Sequence, residues 1–327
     1  MSDVDTRVPV TLVTGFLGAG KTTFLNHLLS SDHGARLAVI INEYDEVGID
    51  RDLVVNTQGQ LVEMNNGCLC CTVQGDMKQV IADILASGKV IEGLVIETTG
   101  LANPGPIATA FFADPYLCEA TRLDAIVTLV DGYHLRARLE TAPEEDRDLM
   151  RAQIGYADVL LLNKTDLLSE AEAALVETEL RTLNQTARIH RTVQGVVPLE
   201  AVQHLEAFEF AGRFNLEVED HHHAPDIGSI SFRFEQAFDQ VKLNTFFCNL
   251  LRDFGESIYR CKGVVNVQQL DEPLLFQGVS SLFATSSGRA WASDERRETR
   301  AVFIGRNLDR AKIERGLLEC VAEPLKA

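Results

Sequence analysis

Three groups of residues in this 327-residue chain have types and spacings that could do chemistry. The first is GFLGAGKT, Gly15 to Thr22, which satisfies the G-x-x-x-x-G-K-[ST] pattern in full between an apolar run and a helical one. Gly15, Gly18 and Gly20 let backbone amides approach phosphate oxygens, and the helix N-terminus that follows adds partial positive charge. Lys21 would reach the β- and γ-phosphates, and the Thr22 hydroxyl would ligate Mg²⁺. Ala19 and Thr23 complete the phosphate-site candidates. The second group is NKTD, Asn163 to Asp166, at the end of the apolar run DVLLLN. A carboxylate at Asp166 can accept the ring N–H and the exocyclic amino hydrogens of guanine; adenine would leave it unpaired, a mismatch that is heavily penalised. Asn163, Lys164 and Asp166 are therefore base-site candidates. The third is NNGCLCCTVQGD, which places Cys68, Cys70 and Cys71 within four residues. Thiolates are soft ligands and suit Zn²⁺, whereas Mg²⁺ prefers oxygen. Three thiolates leave a tetrahedral position open, which suits a metal that must arrive and leave. A redox pair at the C-x-x-C spacing of Cys68 and Cys71, or a buried packing cluster, are the competing readings.

Two further stretches could serve a phosphate site. ETTG, Glu97 to Gly100, ends an apolar run. Glu97 there could hold the Mg²⁺ shell or orient an attacking water, and Gly100 would leave room beside a γ-phosphate. The alternative is an ordinary polar turn. NEYDEVGID carries Glu43, Asp45, Glu46 and Asp50 where a switch loop would lie, or where a solvated acidic loop would. Lys21, Glu97 and Glu46 are the catalytic candidates. The isolated Cys118, Cys248, Cys261 and Cys320 read as small buried hydrophobes. His221, His222 and His223 read as part of a polar linker or as an auxiliary metal collector, and His27 and His134 as structural.

These groups need a scaffold, and the apolar pattern supplies one. VPVTLVT, LAVIIN, LVEM, GLVIET, AIVTLVD and DVLLLN are short and several are apolar almost throughout, as parallel strands covered on both faces are. Helical stretches such as DMKQVIADILAS and SEAEAALVETELRTLN lie between them. The rhythm predicts an α/β fold with a mostly parallel sheet flanked by helices, ligands binding at the carboxyl ends of its strands. The texture turns polar and aperiodic near EVEDHHHAPDIG, read as a linker at 208–228 after a first domain at 1–207. A smaller α+β domain at 229–327 is expected from SISFRF, the helix LNTFFCNLLRDF, strand-like runs near YRCKGVVNV, VSSLFATSS and TRAVFIG, and the helix DRAKIERGLLECV.

The formal net charge of −18 argues against nucleic acid as a partner, because neutralising phosphates needs excess Lys and Arg. The opening MSDVDTRVPVTLVTG lacks the basic start of a signal peptide, and no apolar run nears the roughly 18 residues a membrane span needs. A cytoplasmic protein with reduced thiols is expected, and clustered cysteines in that compartment read as metal ligands or redox groups.

Taken in order, GFLGAGKT, NEYDEVGID, GCLCC, ETTG, NKTD and the small α+β domain resemble the CobW-like family of P-loop GTPases. The resemblance implies nucleotide contacts at Gly15 to Thr22 and at Asn163 to Asp166, and a metal site at Cys68, Cys70 and Cys71. It implies a GTP- and GDP-binding metallochaperone that couples nucleotide state to transfer of a divalent metal, zinc by default, to a client metalloprotein through the C-terminal domain. Cobalt insertion for cobalamin synthesis or nitrile hydratase, or a non-catalytic GTP- and metal-responsive regulator, are the alternatives. Monomer and dimer both stay open. One departure is Asp45, where the family usually has glycine; it removes a permissive backbone position and adds a carboxylate. No arginine finger is assignable from sequence, so turnover on the order of 10⁻⁴ to 10⁻² s⁻¹ is expected.

Overall fold

A computed structural model describes residues 5–31, 34–41, 60–63, 73–208 and 226–323. The chain divides into two compact units, Met1–Glu177 with Ala187–Ala207, and Thr178–Thr186 with Phe208–Ala327.

In the first unit, strand β1 (Val8–Thr14) leads into helix α1 (Lys21–Ser30), followed by β2 (Leu37–Ile41), β3 (Gln60–Glu63), α2 (Val73–Ala86) and β4 (Gly93–Glu97). Then come α3 (Pro104–Ala113), α4 (Pro115–Ala120), β5 (Thr121–Asp131), α5 (Leu135–Thr141), α6 (Glu144–Tyr156), β6 (Val159–Asn163), α7 (Glu170–Leu183), of which the residues from Thr178 on are counted in the second unit, and β7 (Arg188–Arg191). The seven strands form one sheet in the order β3-β2-β4-β1-β5-β6-β7, and every pairing is parallel. Every described residue of β2, β4 and β6 is buried, as two covered faces require. Phe24, Leu25 and Leu28 of α1 pack on Val13, Val39, Val95, Val127 and Val159 across one face. After β1 the chain turns to one side of the sheet to build β2, β3 and β4, and β5 then opens the other side. The carboxyl end of β1 is thus the point where strand order reverses, the place where an open α/β sheet forms its ligand crevice.

The expected mostly parallel sheet flanked by helices is therefore present. β7, Arg-Ile-His-Arg, was not expected: an edge strand with no fully buried residue has no apolar run to betray it. β5 begins at Thr121, ahead of the expected AIVTLVD, because its register with β1 skips Asp124, with Val10 opposite Leu123 and Thr11 opposite Ala125. The bulge gives Asp124 a use. Its fully buried carboxylate accepts from the Leu205 and Glu206 amides at 3.1 and 2.9 Å, with the Arg122 guanidinium 3.7 Å away.

The second unit contains β8 (Ile227–Phe234), α8 (Gln240–Phe254), β9 (Ile258–Val265), β10 (Leu274–Val279), β11 (Leu282–Ser287), β12 (Thr299–Arg306) and α9 (Arg310–Glu319). Its sheet is antiparallel in the order β11-β10-β9-β12-β8. A phenylalanine-rich core joins Phe232, Phe246, Phe247, Phe276 and Phe303 to Ile313 and Leu317 of α9. This is the expected small α+β architecture: the strand expected near VSSLFATSS is β11, and its hairpin partner β10 was not expected. Ser280 turns the chain with a φ of 51°, and Gln277 and Gly278 hide β10 from an apolar pattern.

Among the described residues no helix is long and apolar enough to cross a membrane.

Candidate nucleotide and metal site

The phosphate loop is built at the carboxyl end of β1. Gly15, Gly18 and Gly20 all have positive φ, at 138°, 75° and 104°, so the turn takes a path that side chains resist. At Gly20 space is limiting as well, because a Cβ there would strike the Asn163 amide. Gly20 is the N-cap of α1, and with no side-chain cap the first-turn amides are left to a ligand. Lys21 opens that helix, only 8% exposed, with its ammonium donating to the Gly15 carbonyl at 2.9 Å. Burial depresses its pKa, and the nearby Glu97 carboxylate works in the opposite direction. An incoming polyphosphate would add negative charge beside this buried cation.

Glu97 ends β4, opposite Val13 in the β1–β4 register, and is 5% exposed. Beside it the Thr98 amide donates to the Val13 carbonyl at 2.9 Å. The hydroxyls of Thr14 and Thr98 are buried and have no hydrogen-bond partner among the described residues. The partly buried Thr22 on α1 and the Glu97 carboxylate are the oxygen donors that these two motifs supply. That set fits a hard, hydrated cation such as Mg²⁺ and does not suit a soft one.

The turn after Glu97 is held from two sides. A Cβ on Gly100 would lie 2.9 Å from the Leu17 backbone nitrogen, so the glycine lets the ETTG turn lie against the phosphate loop. From α6, the buried Gln153 donates to the Gly100 and Ala102 carbonyls, each at 3.1 Å. Asn103 then caps α3 by accepting from the Gly105 amide at 2.9 Å.

The NKTD turn is tied to the phosphate loop. Asn163, 2% exposed, donates to the Ala19 carbonyl at 3.0 Å and accepts from the Thr192 hydroxyl at 3.2 Å and the Gly195 amide at 3.0 Å. Both ends of its amide are therefore engaged by protein. Lys164 has a φ of 63° and pairs with Asp131 at 2.8 Å. Asp131 also accepts from the His134 ring at 3.0 Å, which agrees with a structural role for that histidine. Burial alone would raise the Asp131 pKa; the bonds from Lys164 and His134 outweigh it and hold the carboxyl below the usual range. Asp166, one turn further, is exposed and open to a base. The loop Thr192 to Gly195 and the residues Gln153 and Arg138 were not anticipated from sequence, since none belongs to a motif. Arg138 donates from α5 to the Leu17 carbonyl at 2.7 Å.

The switch segment with Glu46, the thiols Cys68, Cys70 and Cys71, and His221, His222 and His223 lie outside the described residues. Among the described residues no group of three or more His, Cys, Asp or Glu side chains could hold a metal ion. Cys261 and Cys320 are buried, which pushes their thiols up to about 12 and about 11, and both stay protonated. Cys118 is partly buried and donates to the Phe111 carbonyl at 3.3 Å. Cys248 differs from the expectation: it is exposed on α8.

Comparison with known proteins places these motifs in a lineage. Residues 9–191 match the profile of the CobW/HypB/UreG nucleotide-binding domain, and residues 227–321 that of the cobalamin synthesis protein CobW C-terminal domain. The chain is 33% identical to the zinc chaperone YjiA of Escherichia coli, over 94% of this chain and 96% of that protein. It is also 33% identical to the zinc chaperone CobW of Pseudomonas aeruginosa, over 97% and 92%. With the zinc-regulated GTPase metalloprotein activator 1 of Schizosaccharomyces pombe the identity is 31%, over 93% and 83%. The crystal structure of the Zn(II)-bound YjiA GTPase from E. coli superimposes with a TM-score of 0.81 at 29% identity, covering 97% of this chain and 99% of that one.

Proposed function

The chain belongs to the CobW/HypB/UreG nucleotide-binding family, and from that premise we propose that it is a GTP-hydrolysing metallochaperone that carries zinc to a client protein. The observation that carries the nucleotide half is Asn163, whose amide locks the base-reading turn to the phosphate loop and leaves Asp166 exposed beside it. The zinc half is supported by the names of the relatives and by the soft donor set Cys68, Cys70 and Cys71. Zinc is the cargo here, and the client would dock on the C-terminal unit, in the cytoplasm.

The residues divide the work. Backbone amides at Gly15 to Thr22 and the Lys21 ammonium hold the phosphates, neutralising charge that grows on the leaving group as water attacks in line. Asp166 reads the guanine edge. Thr22 would hold Mg²⁺ with Glu97 in its outer shell, where the cation supplies charge neutralisation. Glu97, kept next to Lys21 and barely exposed, positions the attacking water or that shell.

Steady-state phosphate release from GTP and from ATP tests the reading. Sustained turnover with GTP and little with ATP is expected; equal use of both, or a single burst without turnover, would reject the GTPase assignment.

A further inference from the structure

Arg138 lies outside every motif, yet its guanidinium reaches the tip of the phosphate loop. Nη1 donates to the Leu17 carbonyl at 2.7 Å, and the group lies over the Phe16 ring at 5.5 Å from its centroid. A Cβ on Gly18 would come within 3.9 Å of Nη2, so the guanidinium runs alongside the Leu17–Gly18 peptide. In a trans peptide the carbonyl and the next N–H point opposite ways. A hold on the Leu17 carbonyl therefore turns the Gly18 N–H away from Arg138. A charge-assisted bond to that carbonyl also polarises the peptide and strengthens the N–H as a donor.

The same tip has a second neighbour. Gly100 packs against the Leu17 backbone, and Gly100 is itself held by Gln153. Arg138 from α5 thus holds the phosphate loop, and Gln153 from α6 holds the ETTG turn packed against it. The arginine also shares its short segment with Asp131, which pairs with Lys164 of the base-reading turn. On a chain of net charge −18, a cation at this loop additionally favours the approach of a polyphosphate.

We infer that Arg138 is a positioning residue for phosphoryl transfer: it fixes the Leu17–Gly18 peptide so that the Gly18 N–H is presented to the β- and γ-phosphates. The inference rests on the GTPase reading above. Lysine could make one bond to the Leu17 carbonyl but has no planar fork to lie on Phe16, so it would restore only part of the effect.

The experiment uses the full-length protein as Arg138→Ala and Arg138→Lys. For Arg138→Ala we expect kcat for GTP to fall about 10-fold with KM changed less than about 3-fold, a loss mostly in the chemical step. GDP release, followed with a fluorescent analogue, should quicken about 3-fold, because the same amide also holds the diphosphate. Arg138→Lys should fall between alanine and parent. Guanidinium ion at a non-denaturing concentration should recover part of the alanine variant's kcat. Parental kcat and GDP release in Arg138→Ala would overturn the inference. So would a loss that tracks a lowered Tm and ignores guanidinium, which would make the contact structural. If the parent releases no phosphate at all, the GTPase reading fails instead, and the GDP-release comparison still decides the role of Arg138.

Discussion

Asp166 and Asn163 stand three residues apart in one turn and do different work. Asp166 is exposed and unengaged by the bonds that tie the turn down, so changing it should alter which base is accepted without disturbing the loop. Asp166→Asn is expected to shift preference from guanine toward xanthine nucleotides, which carry an acceptor where guanine carries its amino group; competition binding with GTP and XTP measures it. An unchanged GTP preference would remove Asp166 from base reading. Asn163 is the opposite case. Its amide makes three bonds to Ala19, Thr192 and Gly195, each contributing about 1 kcal/mol net, and their buried partners would be left unpaired by alanine. Asn163→Ala should therefore cost roughly 2–4 kcal/mol of stability, read from chemical denaturation, and weaken binding of all nucleotides alike. A variant with parental stability that loses only base selectivity would show that Asn163 reads the base directly.

At the level of elements, the β5–α5 segment and α6 are the parts that hold the site in shape. Asp131, at the end of β5, has its pKa lowered on folding by Lys164 and His134 against the opposing effect of burial. A carboxyl depressed in this way contributes stability above its unfolded pKa of about 3.9, and that contribution is lost as pH falls through the lower folded value. Asp131→Asn should thus lower Tm near neutral pH, and the gap to the parent should narrow as pH is taken down to about 3. A gap that stays constant over that range would mean that the charge is not what stabilises the pair. These holding contacts were the least legible part of the chain. Apolar runs announced β1, β2, β4 and β6 because buried parallel strands are apolar on both faces, and GFLGAGKT and NKTD announced themselves because phosphate and base impose fixed spacings. Gln153 and Arg138 answer to no spacing rule. They act on backbone carbonyls of Gly100, Ala102 and Leu17, contacts that exist only once α5 and α6 are packed. β7 and β10 were hidden for a related reason: one is a polar edge, the other is interrupted by Gln277 and Gly278.

At the scale of the molecule, the question is how a nucleotide and a metal cargo could report to each other. The parallel sheet supplies a physical basis. β2, β3 and β4 end at Ile41, Glu63 and Glu97, residues matched across the sheet by register, and that edge also carries the phosphate loop after Thr14. Cys68, Cys70 and Cys71 follow shortly after Glu63 in the chain, and Glu46 shortly after Ile41. The proposed phosphate and thiol ligand sets thus follow neighbouring strand ends in the chain although they share no residue. A loop gripped by nucleotide on one strand could therefore alter the metal site on the next. Such coupling is reciprocal: a nucleotide that changes zinc affinity obliges zinc to change nucleotide affinity by the same factor. About 1–3 kcal/mol is expected, roughly 5- to 150-fold. Zinc titrations against a competing chelator, with GDP and with a non-hydrolysable GTP analogue, measure it directly. Lys21→Ala should keep thiol-dependent zinc binding and lose the difference between the two nucleotides, because the proposed role of Lys21 is toward the phosphates and an ammonium is no soft ligand. Equal zinc affinity with GDP and GTP analogue in the parent protein, with the three thiols reduced, would mean that hydrolysis does not drive metal release. Delivery would then have to be driven by the client's own affinity for the metal.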